Sequence, residues 1–174
     1  LHNTELTPSE IKDYSAKMKE IINQSIATIR EISRNLMPGV LNDFGLVEAI
    51  KEFCDNLNKT GIIRINFDSE TKHYNLESRI ENIIYSVVKE LINNTIKHAD
   101  ASEINLTIYK TNNSFLLKYT DNGIGIDIEK HLNSDSAGLG IKNLLSKINA
   151  ISGKVTNLNE AGFGIKIIIP INEN

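Results

Sequence analysis

The sequence has 174 residues, enough for one ordinary hydrophobic core or a small domain with an appendage. At 40% hydrophobic, 24% charged and a formal charge of −3 it reads as a globular domain, without the basic excess that a nucleic-acid footprint requires. Cys54 is alone, which excludes an intrachain disulfide and points to a reducing, cytoplasmic setting, and no apolar run approaches the roughly 18–20 residues that cross a bilayer.

The chain opens on Leu1 with no signal peptide ahead of the fold, and a start without Met suggests a piece of something larger. TPSE, Thr7 to Glu10, is a helix start: Thr7 caps, Pro8 suits the first helical position and Glu10 closes a capping box. Apolar residues then recur in steps of three and four at Ile11, Tyr14, Met18, Ile21, Ile22, Ile26, Ile29, Ile32 and Leu36, until Pro38 and Gly39 end the run. The pattern predicts a helix of about 28 residues, roughly 40 Å long. Such a near-heptad stripe either lies along its own domain or pairs with a second helix, and a dimerisation helix is the expectation adopted.

Phe44 to Gly61 predicts a second amphipathic helix, and IIRINFD, alternating Ile63, Ile65 and Phe67, a half-buried strand. A third helix is predicted from about Leu76 to Ala99. EINLTIYK and SFLLKYTD predict a hairpin turning at Asn112-Asn113. Ala137 to Gly153 predicts a glycine-led helix, and KVTNLN with GFGIKIIIPI a closing hairpin pair. Strands linked by short turns, without alternating βαβ units, predict an α+β fold. Its expected form is a two-layer sandwich: a mixed, mostly antiparallel sheet covered on one face by helices, preceded by the long N-terminal helix.

ELINNTIKHA, Glu90 to Ala99, puts two asparagines inside the third helix, where their amides compete for backbone hydrogen bonds. Ile84, Val87, Val88, Leu91, Ile92, Thr95, Ile96 and Ala99 form a broad apolar arc. Glu90, Asn94 and Lys97 fall in a strip about 60° wide at its edge. Asn93 points to water, and His98 falls inside the arc above Asn94. The strip is either a wet helix edge, with His98 a satisfied core histidine, or a carboxylate, an amide oxygen and an ammonium that hold a hydrated divalent cation and a polyphosphate. DNGIG, Asp121 to Gly125, is either an ordinary turn or a strand-end carboxylate that accepts from an exocyclic amine such as adenine's. In the second case Gly123 and Gly125 let the backbone approach the base. AGLG, Ala137 to Gly140, is either a flexible lead-in or a helix N-terminus offering free N–H groups to an anion. The polar stretch between them, IDIEKHLNSDSA, has the character of a lid, with His131 solvated.

In this order and at these spacings the three signals resemble the nucleotide-binding motifs of the GHKL superfamily. The N box is Glu90-x-x-x-Asn94-x-x-Lys97-His98-Ala99, the G1 box Asp121-x-Gly123-x-Gly125 and the G2 box Gly138-x-Gly140. The Lys-His-Ala ending and the short lid resemble sensor histidine kinases, and differ from the mismatch-repair and topoisomerase members. Ile29 to Phe53 is similar to the second dimerisation helix, its exit and the first ATPase helix of the NarX/DesK-like subgroup. GLGIKNLLSKI is similar to that subgroup's G2 helix, with Lys147 where arginine is more usual. The resemblance covers about residues 9–171.

It implies the Bergerat/GHKL ATPase fold, a partial dimerisation region at 1–38, an ATP-binding catalytic domain at 39–174, and ATP and Mg²⁺ as cofactors. Asn94 would ligate Mg²⁺, with Glu90 ordering a water or the metal, as the catalytic pair. Lys97 and His98 would sit near the phosphates. Asp121 would read the adenine amine, with Gly123 and Gly125 backing the base and Ile126 beside them. Gly138, Leu139, Gly140 and Ile141 would cradle the phosphates. The implied activity is transfer of the ATP γ-phosphoryl group to a histidine and onward to an aspartate, which needs mainly positioning and charge neutralisation. The implied partners are a second copy, through the N-terminal helix, and a response-regulator receiver domain. In the subgroup the acceptor histidine lies on the first dimerisation helix and is followed by an acidic residue. His2 precedes Asn3 and His73 has no acidic neighbour, so the acceptor is expected outside this chain, which then binds ATP without phosphorylating itself. Two other readings stay open: a nucleotide-binding dimerisation module without an acceptor, and an anti-sigma-factor-like serine kinase, against which the long helix argues.

Overall fold

The computed structural model describes residues 39–125, 139–158 and 162–171, together with Tyr14, Lys17 and Met18. The chain divides into two units, Leu1–Pro38 and Gly39–Asn174. In the first, Tyr14, Lys17 and Met18 are helical, and Tyr14 and Met18, one turn apart on one face, are 56% and 62% exposed. The rest of the predicted N-terminal helix and the predicted lid lie outside the described residues.

The second unit begins with helix α1 (Gly39–Asn58), which starts ahead of the predicted Phe44 because two helical pieces join across a kink. The kink falls at Gly45, whose φ of 82° only glycine adopts without strain. Beyond it Leu46, Val47, Ala49, Ile50 and Cys54 are buried. The Leu46 N–H is taken up by the Glu81 carboxylate, whose pKa burial pushes up while that hydrogen bond pulls it partly back.

Next come strand β1 (Arg64–Ser69), helix α2 (Ser78–His98), strands β2 (Glu103–Thr111) and β3 (Ser114–Asp121), helix α3 (Leu139–Asn149), and strands β4 (Lys154–Asn157) and β5 (Gly164–Pro170). The sheet order is β1-β2-β3-β5-β4. β2–β3, β3–β5 and β4–β5 are antiparallel, with Asn112-Asn113 as the turn of the first pair, so the predicted mixed, mostly antiparallel sheet is present. β1 and β2 run parallel. α2 lies between them in the chain and returns it to the same end of the sheet, one βαβ unit that turn-linked strands do not predict.

Alternation sets the core. Ile104, Leu106 and Ile108 of β2, Phe115, Leu117 and Tyr119 of β3, and Ile165, Ile167 and Ile169 of β5 are buried, and they meet across the sheet: Leu106 pairs with Tyr119, and Tyr119 with Ile165. α2 adds Ile84, Val87, Val88, Leu91 and Ile92 to the same cluster. Burying each such side chain contributes roughly 1.5–3 kcal/mol against chain entropy. Lys147 Nζ donates to Ser86 Oγ at 2.9 Å, tying α3 to α2.

Candidate functional site

The inner-face alternation of β3 runs Phe115, Leu117, Tyr119 and ends on Asp121, which places a carboxylate on the apolar side of the sheet. Asp121 is 5% exposed, a position that is costly unless hydrogen bonds replace water. Three donors meet it. The Thr95 hydroxyl donates to Oδ2 at 2.6 Å, and the Gly123 and Phe163 N–H groups donate to Oδ1 at 3.0 and 3.2 Å. An ionised carboxylate offers about four acceptor positions, so one direction on Oδ2 is left for a ligand. Behind Thr95, the Tyr119 hydroxyl lies 2.7 Å from Thr95 Oγ1 and donates toward the Leu91 carbonyl at 3.3 Å. Burial pushes the Tyr119 phenol well above the usual tyrosine range, against a smaller opposing effect of the Thr95 hydrogen bond, so it keeps its proton.

Asp121 borders an apolar cleft. α2 contributes Leu91, Thr95 and Ala99, α3 contributes Ile141, Leu144 and Leu145, and the far side is Val155, Phe163 and Ile165. An apolar slot with one carboxylate acceptor suits a flat heteroaromatic ring that carries an amine.

The loop after β3 is pinned on two sides. Asn122 Oδ1 accepts from the Ser102 and Glu103 N–H groups at 2.9 and 3.0 Å, and its Nδ2 donates to Ser102 Oγ at 2.9 Å. The Ile124 N–H donates to the Ala99 carbonyl at 2.9 Å, satisfying an acceptor at the end of α2. A Cβ on Gly123 would overlap that carbonyl oxygen and lie 2.8 Å from the Ala99 Cβ. Contact with the end of α2 is thus one reason for glycine here, distinct from the close approach of a base. Gly125 has a φ of 75° and rests on Gly162. Gly162, with a φ of 122°, rests in turn on the Asp121 carbonyl, and this lets the neighbouring Phe163 N–H reach the Asp121 carboxylate. Thr95, Tyr119, Gly162 and Phe163 are the residues of the site that the motifs do not contain. Two left a signal: Thr95 interrupts the apolar stripe of α2, and Tyr119 stands two residues before Asp121 on one strand face.

Glu90 and Asn94, one turn apart on α2, are half-buried, while Asn93 is exposed. The first turn of α3 faces them. A Cβ on Gly140 would lie 3.3 Å from Glu90 Oε1 and 3.8 and 3.9 Å from the Asn94 amide nitrogen and oxygen. Leu139 opens α3 and Ile141 lines the cleft, so Glu90, Asn94, Leu139, Gly140 and Ile141 gather at one helix N-terminus. Ile126 and Gly138 lie outside the described residues. Lys97 and His98 are exposed in the last turn of α2 and do not line the cleft. For His98 this corrects the helical-wheel placement in the apolar arc: it is rotated about 60° from Thr95, which in the final turn leaves it in water.

A carboxylate and an amide oxygen on one helix face, beside the free N–H groups of another helix, fit Mg²⁺, which takes few protein oxygens and fills its shell with water and phosphate. Among the described residues no three His, Cys, Asp or Glu side chains cluster into a self-sufficient metal site.

Residues 79–172 match the family described as histidine kinase-, DNA gyrase B-, and HSP90-like ATPase. Sensor histidine kinase ComP of Bacillus subtilis is 27% identical over 164 residues, which are 93% of this chain and 21% of that protein. Sensor histidine kinase MctS of Rhizobium johnstonii is 30% identical over 156 residues, 89% of this chain and 34% of that protein. The chain therefore spans about a fifth to a third of the length of these relatives. Among solved structures, the blue-light activated histidine kinase of Erythrobacter litoralis EL346 superposes with a TM-score of 0.64 at 16% identity, covering 95% of this chain and 63% of that one, a likeness of fold.

Proposed function

The chain belongs to the family of histidine kinase-, DNA gyrase B- and HSP90-like ATPases, and from that premise we propose that Gly39–Asn174 binds Mg²⁺-ATP in the cleft between α2 and α3 as the catalytic part of a sensor histidine kinase. The observation that carries this reading is the meeting of Glu90, Asn94 and Gly140 at the N-terminus of α3, at the mouth of an apolar cleft that contains Asp121. Asp121 accepts the adenine amine on its remaining Oδ2 position, and the apolar walls take the ring. The amides of Leu139, Gly140 and Ile141 receive phosphate oxygens at the positive end of α3. Asn94 supplies an oxygen to Mg²⁺, and Glu90 orders a water of its shell. Bound Mg²⁺ neutralises phosphate charge and holds the γ-phosphoryl group for transfer. Lys97 and His98, free in solvent, close on the phosphates when nucleotide is present. Gly125 supports the base through its contact with Gly162, and Ile126 and Gly138 are assigned to the base and the phosphates from the sequence motifs alone.

The phosphoryl acceptor is a histidine on a dimerisation helix outside these residues, and the onward acceptor is an aspartate of a response regulator. A second copy pairs through the N-terminal helix, where Tyr14 and Met18 present an exposed apolar face. The setting is cytoplasmic. Among the described residues no helix is long and apolar enough to cross a membrane. The serine-kinase and acceptor-free readings have less support, because both sequence relatives are named sensor histidine kinases.

Titration calorimetry with a non-hydrolysable ATP analogue tests the site. Binding is expected to require Mg²⁺ and to fall at least tenfold in Asn94→Asp, since a second carboxylate beside Glu90 repels the phosphates. Equal affinity in the variant and the parent would remove Asn94 from the site.

A further inference from the structure

We propose that Thr95 and Tyr119 are positioning residues for purine selection: together they hold Asp121 as an acceptor-only carboxylate and so favour a 6-amino purine over a 6-oxo purine. This rests on assigning Asp121 to the base amine. Every hydrogen bond that the Asp121 carboxylate makes is one it receives. The Gly123 and Phe163 amides occupy Oδ1 and cannot reverse, because a backbone N–H has no acceptor capacity. The Thr95 hydroxyl, 2.6 Å from Oδ2, has a single proton and commits it to the carboxylate. Thr95 Oγ1 then has only lone pairs for Tyr119, so the Tyr119 hydroxyl at 2.7 Å points its proton toward Thr95 Oγ1 and the Leu91 carbonyl. The chain of donors thus runs from Tyr119, fully buried, through Thr95, at the cleft wall and 4% exposed, to Asp121.

The chemical consequence falls on the one open position of Oδ2. A carboxylate fed by three donors welcomes an N–H and opposes a carbonyl oxygen brought to the same point, because two lone pairs then face each other. Adenine presents an amine there and hypoxanthine a carbonyl. Without the Thr95 hydroxyl, Oδ2 has two open positions and no fixed donor, so it can turn its lone pairs aside from a 6-oxo group while Oδ1 stays held by the two amides. Selection weakens as affinity weakens. Thr95 does this through Asp121 and needs no contact with the nucleotide.

The test is the affinity of the 174-residue chain for ATP and ITP, measured side by side with Mg²⁺. Thr95→Val keeps the shape and removes the hydroxyl; Thr95→Ser keeps the hydroxyl; Tyr119→Phe removes the donor behind it. Thr95→Val is expected to weaken ATP binding roughly tenfold, the size of one hydrogen bond to a charged group, and to lower the ATP-to-ITP ratio by a similar factor. Thr95→Ser is expected to restore both, and Tyr119→Phe to shift the ratio in the same direction by a smaller factor. A merely structural role would weaken ATP and ITP alike and leave the ratio fixed. A wild-type ratio in folded Thr95→Val overturns the proposal. If that variant does not fold, a wild-type ratio in Tyr119→Phe overturns it instead. Asp121→Asn separates the two levels: if it leaves ATP affinity unchanged, the base reading itself is wrong, whereas if it abolishes ATP binding while Thr95→Val and Tyr119→Phe keep the parental ratio, only the relay is wrong.

Discussion

A carboxylate at the end of an apolar strand face persists only if its neighbours turn donors toward it, and at Asp121 they come from α2, from the loop after β3 and from the residue before β5. The glycines around it differ in what they permit. At Gly123 an added Cβ meets backbone, the Ala99 carbonyl, which cannot move without shifting the end of α2. At Gly140 it meets the tip of the Glu90 side chain at 3.3 Å, which can swing away. Gly123→Ala is therefore expected to lose about 1–3 kcal/mol of stability in urea denaturation. Gly140→Ala is expected to keep or slightly raise stability, because alanine suits a helix, while weakening nucleotide binding by filling the space before Asn94. Equal stability losses in the two variants would contradict this division. Glu90, Asn94 and Gly140 were legible as candidates because i, i+4 spacing and a glycine before a helix are local features. Thr95 interrupted the apolar stripe, but its role was not legible, since that depends on which strand residue lies opposite it, a tertiary fact. The misplaced His98 has a different cause: it sits at one edge of the apolar arc, which is in water in the last turn, while Ala99 on the other side of Thr95 stays buried.

At the level of elements, periodicity located the three helices and five strands described in Gly39–Asn174, while chain direction and breaks were harder to read. Pro38 and Gly39 read as the end of one helix and Phe44 as the start of the next, yet α1 already begins at Gly39; the Leu46 N–H freed at the Gly45 kink is met by Glu81 from α2, so the two pieces of α1 continue across it. The parallel β1–β2 pair was hidden because α2 reads the same whether the strands it joins are parallel or not. Packing of α1 carries its own test at Cys54. Burial, with the Asp55 charge adding to it, pushes this thiol up from 9.0 to about 12. A folded value above the unfolded one means that the contribution is complete below pH 9.0 and is lost as pH rises toward about 12. The loss within that window is about 1.4 kcal/mol per pH unit. At pH 8 a disulfide-exchange reagent is expected to label Cys54 within seconds in urea and only over hours in the folded chain. Rapid labelling of the folded chain would show that α1 does not pack as described.

For the molecule as a whole, one unit carries the cleft and the other an exposed helical face at Tyr14 and Met18. The sheet has one face packed under helices and one bearing Asn105, Lys118 and Thr120, so a ligand taken up by the cleft leaves the outer face untouched. The most direct measurement is an amide NMR titration of the chain with a non-hydrolysable ATP analogue and Mg²⁺. The predicted result is a set of concerted shifts at Thr95, Gly123, Gly140 and Ile141, with Asn105 and Lys118 unmoved and the α3 shifts lost when Mg²⁺ is omitted. Shifts confined to the outer face or to α1, or none at saturating analogue, would contradict a nucleotide site in the cleft between α2 and α3.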